Sequence, residues 1–482
     1  IKGVGSEFPP NRREFWHYIK IAAENGDKRA LYAYGSALII GKEFPADIEK
    51  GLKYIKEAIE KGSEEAMLFY AKISIIGNYI PIDVAESMKY FEMAAENGSI
   101  EAMVTYAKLL YDGQHFEIDK VKASKYCMMA ADKGHSLAML SYGKMLFEGD
   151  GIPADVEIGI DYIKKAAENG EVDAMYFYGN ILSKGINVAI NKEESIHYFK
   201  MAADKGDFKS MKELGYIFKK SVEIPGYMEQ SVHYFKMAAE KGDVKSMLIL
   251  GHIFQDGVGI PIDIKQSIHY LKMAVDKGDV NSMFMLGYYL LGENGIPIDI
   301  KQSIYYLNMA ADNGYVMSMY VLGHIYQKGI GIPVDMNQSI HYYKMAADND
   351  HVDSMLALGM IFQKGIDVPF DIEQSIYYLK MAADRGNAKS MFVLGYIYQS
   401  SIGVPVDMKQ SAHYYKIAAD NGNVTSMLQY SKYLYKGIGV EQNKEEGIRY
   451  VKMGADKRDL NCMRTYGGLI VSECNELHID IN

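Results

Sequence analysis

The sequence predicts an all-α solenoid of thirteen tandem helix-turn-helix repeats, each 36 residues long. The first observation is a Tyr every 36 residues: Tyr18, Tyr54, Tyr90, Tyr126, Tyr162, Tyr198, Tyr234, Tyr270, Tyr306, Tyr342, Tyr378, Tyr414 and Tyr450. The second is an Ala four residues after each Tyr, replaced only by Gly454 in the last repeat. The third is a Met thirteen residues after the Tyr, replaced only by Leu31 in the first repeat. Because a strict period of roughly 20–50 residues is typical of stacked repeat proteins, a solenoid is favoured over several globular domains.

The residues around each Tyr predict an amphipathic helix, as the eighth repeat illustrates. Asp263 is a good N-cap and Gln266 stands where a capping box places Glu or Gln, so the helix begins near Ile264. Apolar residues then recur at spacings of three and four, which gives the helix one broad buried face. Ser267 and Tyr270 lie on that face.

A glycine ends this first helix, and a second helix follows. Gly278 fits the left-handed C-terminal cap that a residue without Cβ adopts most easily, and eleven repeats have Gly there. Asp350 and Arg458 occupy this position in the other two repeats. We expect the second helix to run from about Val280 to Leu291, so that each repeat is one antiparallel helix pair.

Small residues at fixed positions predict how the pairs stack. Ala274 and Gly287 remove bulk where two helix backbones approach each other, and Tyr270 fills the neighbouring gap. The recurring Tyr is therefore interpreted as structural, with its hydroxyl at a solvent-exposed edge or on a backbone carbonyl. The positions assigned structural roles are Tyr198, Tyr234, Tyr270, Tyr306, Tyr342, Ala274, Gly278, Met283 and Gly287.

Composition and charge argue against several classes of function. The net charge of −10, without a long run of either sign, disfavours a nucleic acid as partner. The longest apolar stretches, such as Met283 to Leu291, fall well short of the roughly 20 residues that span a bilayer, so no membrane insertion is expected. Cys127, Cys462 and Cys474 are too few and too scattered to cross-link the repeats by disulfide bonds or to form a tetrahedral metal site. We therefore expect the cytoplasm or another reducing compartment.

The repeats are not equally alike. Those over residues 190–425 are close copies of one another, whereas those over 11–189 and the last one, 426–470, differ more in their exposed residues. We interpret residues 1–10 as an inter-repeat loop continuing from an upstream segment, and residues 471–482 as a C-terminal tail. Distinctive sites are expected in the divergent N-terminal repeats. These repeats contain several unusual aromatic and polar residues: Trp16, Phe44, Asn78, His115 and Phe116.

Two segments carry a resemblance to a known family. Residues 342–347 read Tyr-Tyr-Lys-Met-Ala-Ala, and residues 329–335 read Gly-Ile-Gly-Ile-Pro-Val-Asp. These motifs resemble the Sel1-like repeat family, and the resemblance extends from about residue 2 to about residue 470. It implies a right-handed superhelix of helix pairs, related to the tetratricopeptide fold. It also implies a non-enzymatic scaffold or adaptor that binds proteins or peptides without a cofactor.

Two departures from the family pattern bear on function. A cysteine-rich branch with disulfides in each repeat and reported penicillin binding or hydrolysis needs paired cysteines, which this chain lacks, so a hydrolase is not expected. Met stands three residues after the recurring Tyr in nine repeats, as at Met273, where the family more often has Lys. Two further roles stay open: a regulatory or recruiting arm of a larger protein, such as a quality-control adaptor or a kinase, and a structural spacer within a large assembly.

No catalytic motif is found in the sequence. Gly257-Val258-Gly259 lacks the Lys and Ser or Thr of a phosphate-binding loop and recurs as an ordinary turn between repeats. Residues 134–138, Gly-His-Ser-Leu-Ala, resemble a nucleophile elbow. That motif needs a strand-to-helix turn, whereas these residues fall at the standard position between two helices.

A stripe of His and Met is the candidate partner-binding site. His precedes the Tyr in six repeats, and in four of them a Met follows the His by four residues, which places both on one helix face. If the first helices line a concave groove, as the resemblance implies, this stripe can receive a peptide or helix of a partner. The candidate residues are His197, Met201, His233, Met237, His269, Met273, His341, Met345 and His413.

The same position carries other residue types elsewhere: Lys53, Lys89, Lys125, Asp161 and Arg449. Such variation favours recognition over chemistry. The alternative interpretation is that the stripe consists of solvated or packing residues without a ligand. Metal binding is disfavoured because packed helices lie roughly 8–10 Å apart, while metal–ligand bonds are about 2 Å long.

Overall fold

The computed structural model describes four stretches of the chain: residues 12–43, 45–113, 117–292 and 298–476. Within them lie 26 α-helices, which follow one another in thirteen pairs. The prediction of an all-α chain of 36-residue helix-turn-helix repeats is therefore confirmed. Phe44, His115 and Phe116 lie outside the described residues, as do residues 1–11 and 477–482.

The chain divides into two compact units, Ile1–Gly242 and Asp243–Asn482. The helices of the first unit are α1 (Arg12–Glu24), α2 (Lys28–Ile40), α3 (Ile48–Glu60), α4 (Glu64–Ile76), α5 (Val84–Glu96), α6 (Ile100–Asp112), α7 (Lys120–Asp132), α8 (Ser136–Glu148), α9 (Val156–Glu168), α10 (Val172–Lys184), α11 (Lys192–Asp204), α12 (Phe208–Lys219) and α13 (Tyr227–Glu240).

The second unit continues the same alternation. Its helices are α14 (Val244–Asp256), α15 (Ile264–Asp276), α16 (Val280–Tyr289), α17 (Ile300–Asp312), α18 (Val316–Lys328), α19 (Met336–Asp348), α20 (Val352–Lys364), α21 (Ile372–Asp384), α22 (Ala388–Ser400), α23 (Met408–Asp420), α24 (Val424–Lys436), α25 (Lys444–Asp456) and α26 (Leu460–Glu476). In both units the odd-numbered helices carry the recurring Tyr, and the even-numbered helices carry the recurring Met.

The start of most odd-numbered helices follows from a capping side chain, whereas α13 begins after Gly226 without one. Asp263 Oδ1 accepts a hydrogen bond from the backbone N–H of Gln266 at 3.0 Å, which satisfies one of the free donors at the start of α15. The backbone N–H of Asp263 donates to the carbonyl of Phe254 at 2.8 Å, near the end of α14. The capping residue thus also ties the loop back to the preceding helix.

The end of each odd-numbered helix requires left-handed backbone. Gly278 adopts φ +83°, and a Cβ added there would meet no neighbouring atom within 4 Å. Asp350 and Arg458 take the same conformation, with φ +63° and +65°. Glycine therefore recurs here because of its backbone freedom and not because of close packing. Arg385 Nε donates to Asp350 Oδ1 at 3.0 Å, which adds a contact that glycine cannot make.

Two helix ends differ from the sequence prediction. Helix α16 ends at Tyr289 and not at Leu291, because the last turn tightens. The N–H of Leu291 bonds the carbonyl of Tyr288 at 3.1 Å, and that of Gly292 bonds Tyr289 at 3.0 Å, both in the three-residue pattern of a tighter helix. Helix α26 runs to Glu476, six residues into the segment interpreted as a tail.

Small residues bring each even-numbered helix against the next odd-numbered helix. A Cβ on Gly287 of α16 would lie 2.7 Å from Leu307 Cγ and 3.0 Å from the carbonyl oxygen of Ser303, both in α17. Ser303 Oγ donates to the carbonyl of Gly287 at 2.6 Å. Ala274 is fully buried, and Met283 is 5% exposed. The close contact therefore combines a missing side chain with a buried hydrogen bond.

Candidate functional site

The residue before the recurring Tyr is exposed to solvent in all thirteen odd-numbered helices, and we call this set the outer column. In the first unit it consists of His17, Lys53, Lys89, Lys125, Asp161, His197 and His233. In the second unit it consists of His269, Tyr305, His341, Tyr377, His413 and Arg449. Tyr305 and Tyr377 are 59% and 58% exposed, although Tyr is usually more buried. The outer column is therefore presented to solvent and not packed.

The methionines of the candidate stripe lie at the border between core and surface. Four residues after the outer column, Met201, Met237, Met273 and Met345 are all half-buried. Met201 and Met237 pack against apolar clusters of the first unit, and Met273 and Met345 belong to the second unit. Each predicted His–Met pair thus places an exposed imidazole beside a partly accessible thioether. His413 is exposed in the same way.

The recurring Tyr packs against the preceding even-numbered helix. Tyr198 is 5% exposed, and its ring lies edge-on to Tyr178 with centroids 4.8 Å apart. Tyr270 is 9% exposed and stacks on Phe254 at 5.9 Å. Among the other predicted structural tyrosines, those that are half-buried are Tyr234, Tyr306 and Tyr342.

The phenol hydroxyl of this Tyr can reach the preceding odd-numbered helix. Tyr162 Oη donates to Asp132 Oδ1 at 2.9 Å, and Tyr450 Oη donates to Asp420 Oδ1 at 2.6 Å. Burial, together with the hydrogen bond to Asp132, raises the pKa of Tyr162 to about 12. The acceptor in these repeats is a side-chain carboxylate and not the backbone carbonyl expected as one alternative.

These carboxylates belong to a recurring set of residues that the sequence analysis did not identify. The last residue of every odd-numbered helix is acidic and exposed, and we call this set the acidic column. Its members are Glu24, Glu60, Glu96, Asp132, Glu168, Asp204, Glu240, Asp276, Asp312, Asp348, Asp384, Asp420 and Asp456. The 36-residue period, applied to charge, would have found it. Because residues i, i+4 and i+7 share a helix face, the outer column, the Met positions and the acidic column lie on one face of each odd-numbered helix.

The described residues show no arrangement that points to metal or nucleophilic chemistry. In those residues, no group of three or more His, Cys, Asp or Glu side chains converges closely enough to hold a metal ion. The segment resembling a nucleophile elbow is a helix start: Ser136 begins α8, and His135 Nδ1 accepts from the N–H of Ala138 at 3.2 Å. Cys127 and Cys462 are free thiols, and burial raises the pKa of each to about 11.

In the part of the chain that the structure describes, no helix combines the length and apolar character needed to cross a bilayer.

Eleven stretches of the chain match the family model of the Sel1 repeat: residues 28–63, 64–99, 136–171, 172–207, 209–243, 244–279, 280–315, 316–351, 352–387, 388–423 and 424–459. Together they cover well over half of the sequence. This chain belongs to the Sel1 repeat family. The match 280–315 spans α16 and α17, the pair joined by the hydrogen bond from Ser303 to Gly287. The Sel1 repeat is a class that commonly acts in protein binding and is generally non-enzymatic.

This Sel1 repeat protein is similar to several solved structures. The protein c5321, a protective antigen of uropathogenic Escherichia coli strains displaying an SLR fold, is 22% identical over 95% of this chain and 94% of that chain, with a TM-score of 0.55. A Sel1 repeat protein from Oxalobacter formigenes is 23% identical over 72% of this chain and 90% of that chain, with a TM-score of 0.47. No curated protein matches the sequence.

Proposed function

We propose that this chain is a non-enzymatic scaffold that binds polypeptide partners on the exposed face of its odd-numbered helices, in each of its two units. The observation that carries this proposal is the outer column, which stays exposed in all thirteen repeats while its residue type changes among His, Lys, Asp, Tyr and Arg. A surface that keeps its exposure and varies its chemistry suits recognition of particular partners. Membership of a repeat class that commonly binds proteins supports the same function.

The chemistry of this face differs along the chain and indicates what it can bind. In the first unit, Lys53, Lys89 and Lys125 follow one another in the outer column and favour an acidic stretch of a partner. In the second unit, aromatic and imidazole rings alternate in the outer column. From His269 to Tyr377 each of these residues has a half-buried Met four positions later. This Met adapts to different apolar side chains, because the thioether chain is flexible and polarisable.

A reducing compartment such as the cytoplasm is part of this proposal. It is supported by Cys127 and Cys462, which are free thiols in the structure.

The test compares two charge-introducing variants, one for each unit. His197→Asp with His233→Asp places carboxylates on the exposed face of the first unit, and His269→Asp with His341→Asp does so in the second. Affinity capture of the intact chain from its native cells, quantified by mass spectrometry, should recover a defined partner. We expect at least tenfold less of that partner with one of the two variants, because an unpaired carboxylate in an interface is costly to desolvate.

The matched control introduces the same charge on the even-numbered helices. Asn281 and Thr425 are exposed second residues of α16 and α24, so Asn281→Asp with Thr425→Asp should leave capture unchanged. Thermal unfolding of each variant must stay close to that of the wild type. A partner that is captured equally well by the wild type and by both His variants would contradict the proposed face.

A further inference from the structure

A cleft of about 390 Å³ opens in the first unit between two successive even-numbered helices, α6 and α8. Cys127 of α7 also lines it. Apolar and small side chains form much of its walls, with Val104, Ala107 and Tyr111 from α6, and Leu137, Ser141 and Met145 from α8. We refer to this space as the Cys127 cleft.

The Cys127 cleft lies where one repeat has a smaller side chain than the other twelve. The residue corresponding to Cys127 is larger and buried in the other twelve repeats: Ile19, Ile55, Phe91, Ile163, Phe199, Phe235, Leu271, Leu307, Tyr343, Leu379, Tyr415 and Val451. Phe199 shows what is missing, since its ring packs against Tyr176 of the even-numbered helix α10 with centroids 6.1 Å apart. At the two corresponding positions the divergent repeat has Cys127 and Val104, so both rings are absent.

The rim of the cleft also differs from the other repeats, because it has an exposed apolar residue where most of them have a polar one. Leu137, in the first turn of α8, is 46% exposed, and Tyr111 is 39% exposed. Eleven of the other repeats have a polar or charged residue at the position of Leu137: Arg29, Glu65, Glu101, Asp173, Lys209, Lys245, Asn281, Asp353, Lys389, Thr425 and Asn461. An apolar residue placed in solvent beside an unfilled apolar space indicates that an apolar group covers both.

Polar groups of both signs surround this apolar centre. Lys108 and Lys144 line the cleft, as do Asp112 and Glu148. The Lys144 ammonium lies 4.8 Å from the centre of the Phe177 ring. An apolar pocket with a mixed polar rim is the usual form of a site that anchors one side chain of a peptide.

The family comparison singles out the same segment. None of the eleven matched stretches includes residues 100–135, which contain Val104, Tyr111 and Cys127, although matches lie on both sides. The repeat has therefore diverged at the residues that open the cleft, while α6 and α7 keep the helix pair.

We propose that the Cys127 cleft binds one large apolar side chain, aromatic or leucine-like, presented by a partner polypeptide. In the other repeats a side chain of this kind from the chain itself fills the equivalent space, so the occupant's size and chemistry are those of an amino-acid side chain. The rim, with charges of both signs, suits the polar backbone and flanking residues of a peptide. This inference rests on the proposed scaffold function and adds a contact formed by even-numbered helices.

The test fills the cleft with the residue that other repeats carry. Random peptides displayed on phage are selected against the intact chain, and the enriched peptides are synthesised for affinity measurements. Cys127→Phe restores the ring of Phe91, Phe199 and Phe235, so we expect a melting temperature no lower than that of the wild type. We also expect at least a tenfold loss of affinity, because a filled pocket excludes the anchor side chain. Replacing the peptide's own apolar anchor by Ala should have the same effect.

Two further variants make the result specific. Cys127→Ala keeps the cleft open and removes the thiol, so the affinity should stay within about threefold of wild type if packing and not sulfur chemistry holds the peptide. Leu137→Glu introduces a residue that Glu65 and Glu101 already provide at this position, so it should fold normally and weaken binding at least fivefold. The Leu137→Glu variant therefore tests the proposal even if Cys127→Phe does not fold.

The outcomes separate this inference from the scaffold proposal. Peptides that lose affinity in Cys127→Phe and Leu137→Glu but not in the His197, His233, His269 or His341 variants support the cleft. Peptides lost only in the His variants support the outer column and overturn the cleft. Peptides whose affinity changes in neither Cys127→Phe nor Leu137→Glu would overturn the cleft. Self-association of the chain that Cys127→Phe abolishes would overturn the assignment to a separate partner, because the occupant would then be a second copy of this chain.

Discussion

The recurring Tyr packs in two different ways in two regions of the chain. From Tyr54 to Tyr198 its ring meets a Tyr 20 residues earlier, edge-on or tilted, as Tyr178 meets Tyr198 at 4.8 Å and 82°. From Tyr234 to Tyr414 it stacks on an aromatic residue 16 residues earlier, as Phe254 stacks under Tyr270 at 5.9 Å and 7°. Tyr306 is the exception, because Leu290 occupies that position. The last repeat returns to the edge-on arrangement.

The recurring Tyr therefore does not determine by itself which ring it packs against. In the edge-on repeats, Tyr178 is followed four residues later by Leu182. In the stacked repeats the order is reversed, with Leu250 followed by Phe254. Four residues are about one helical turn, so both orders face the same odd-numbered helix. In most repeats this space holds one ring and one leucine, and the two repeat types fill it in opposite order. Ser74 stands in place of the leucine before Tyr90, and Leu286 and Leu290 occupy both positions before Tyr306.

The largest expected effect comes from placing two rings in that space. Leu182→Phe is expected to destabilise the protein by about 2–3 kcal/mol, because Leu182 is buried and the Tyr178 ring already occupies the turn before it. Adding Tyr178→Leu converts the repeat to the stacked order and should recover stability to within about 1 kcal/mol of wild type. Urea unfolding of both variants measures this coupling.

The control for this exchange is Tyr178→Leu alone, which should cost more than the double variant because it leaves the space underfilled. If Leu182→Phe is as stable as the wild type, the space accommodates two rings. The explanation of the two packing arrangements by limited space would then be wrong.

A second difference between the regions concerns the contact where the helices lie closest. In the regular repeats a buried Ser donates to the even-numbered helix, as Ser303 Oγ does to the Gly287 carbonyl at 2.6 Å. In four of the divergent repeats that Ser is replaced by a smaller residue: Gly51, Ala123, Gly159 or Gly447. A Cβ on Gly159, for example, would lie 2.8 Å from the carbonyl oxygen of Gly143. One region gains a hydrogen bond, and the other gains closer backbone contact.

We expect Ser303→Ala to lower the free energy of unfolding by about 1 kcal/mol, the usual net value of such a hydrogen bond, since the residue is fully buried. Urea unfolding with an unchanged slope checks this. Ser141→Ala is the control, because the hydroxyl of Ser141 bonds only the carbonyl of Leu137 within its own helix, at an exposed position. Equal effects at Ser303 and Ser141 would show that the contact between helices adds nothing.

The sequence was sufficient for the repeat length, the helix pairs and the position of the left-handed caps, because each follows from local periodicity and from single residues such as Gly278. It could not assign the ring partner of Tyr270, since Leu250 and Phe254 lie one turn apart on the same helix face. The His stripe was found through its spacing. The Cys127 cleft was not predicted, because it depends on two small residues, Val104 and Cys127, that belong to different helices and come together only in the folded structure.

The smallest expected effect concerns the phenol of an edge-on repeat at alkaline pH. Burial and the hydrogen bond to Asp132 raise the pKa of Tyr162 from 10.0 to about 12. A pKa that is higher in the folded state contributes stability that is complete below pH 10 and is lost as the pH rises towards 12. Tyr162→Phe should therefore cost less than about 1 kcal/mol at neutral pH, since the pair is exposed and screened by solvent.

The cost of Tyr162→Phe should shrink further between pH 10 and pH 12, because the wild type alone loses stability there when this phenol ionises. Urea unfolding midpoints of the wild type and the variant across this range provide the measurement. Tyr305→Phe changes a phenol that is 59% exposed and serves as the control, with no convergence expected. Curves for Tyr162→Phe and wild type that stay parallel up to pH 12 would mean that the hydrogen bond to Asp132 does not hold the phenol protonated. The edge-on repeats would then differ from the stacked ones in ring geometry alone.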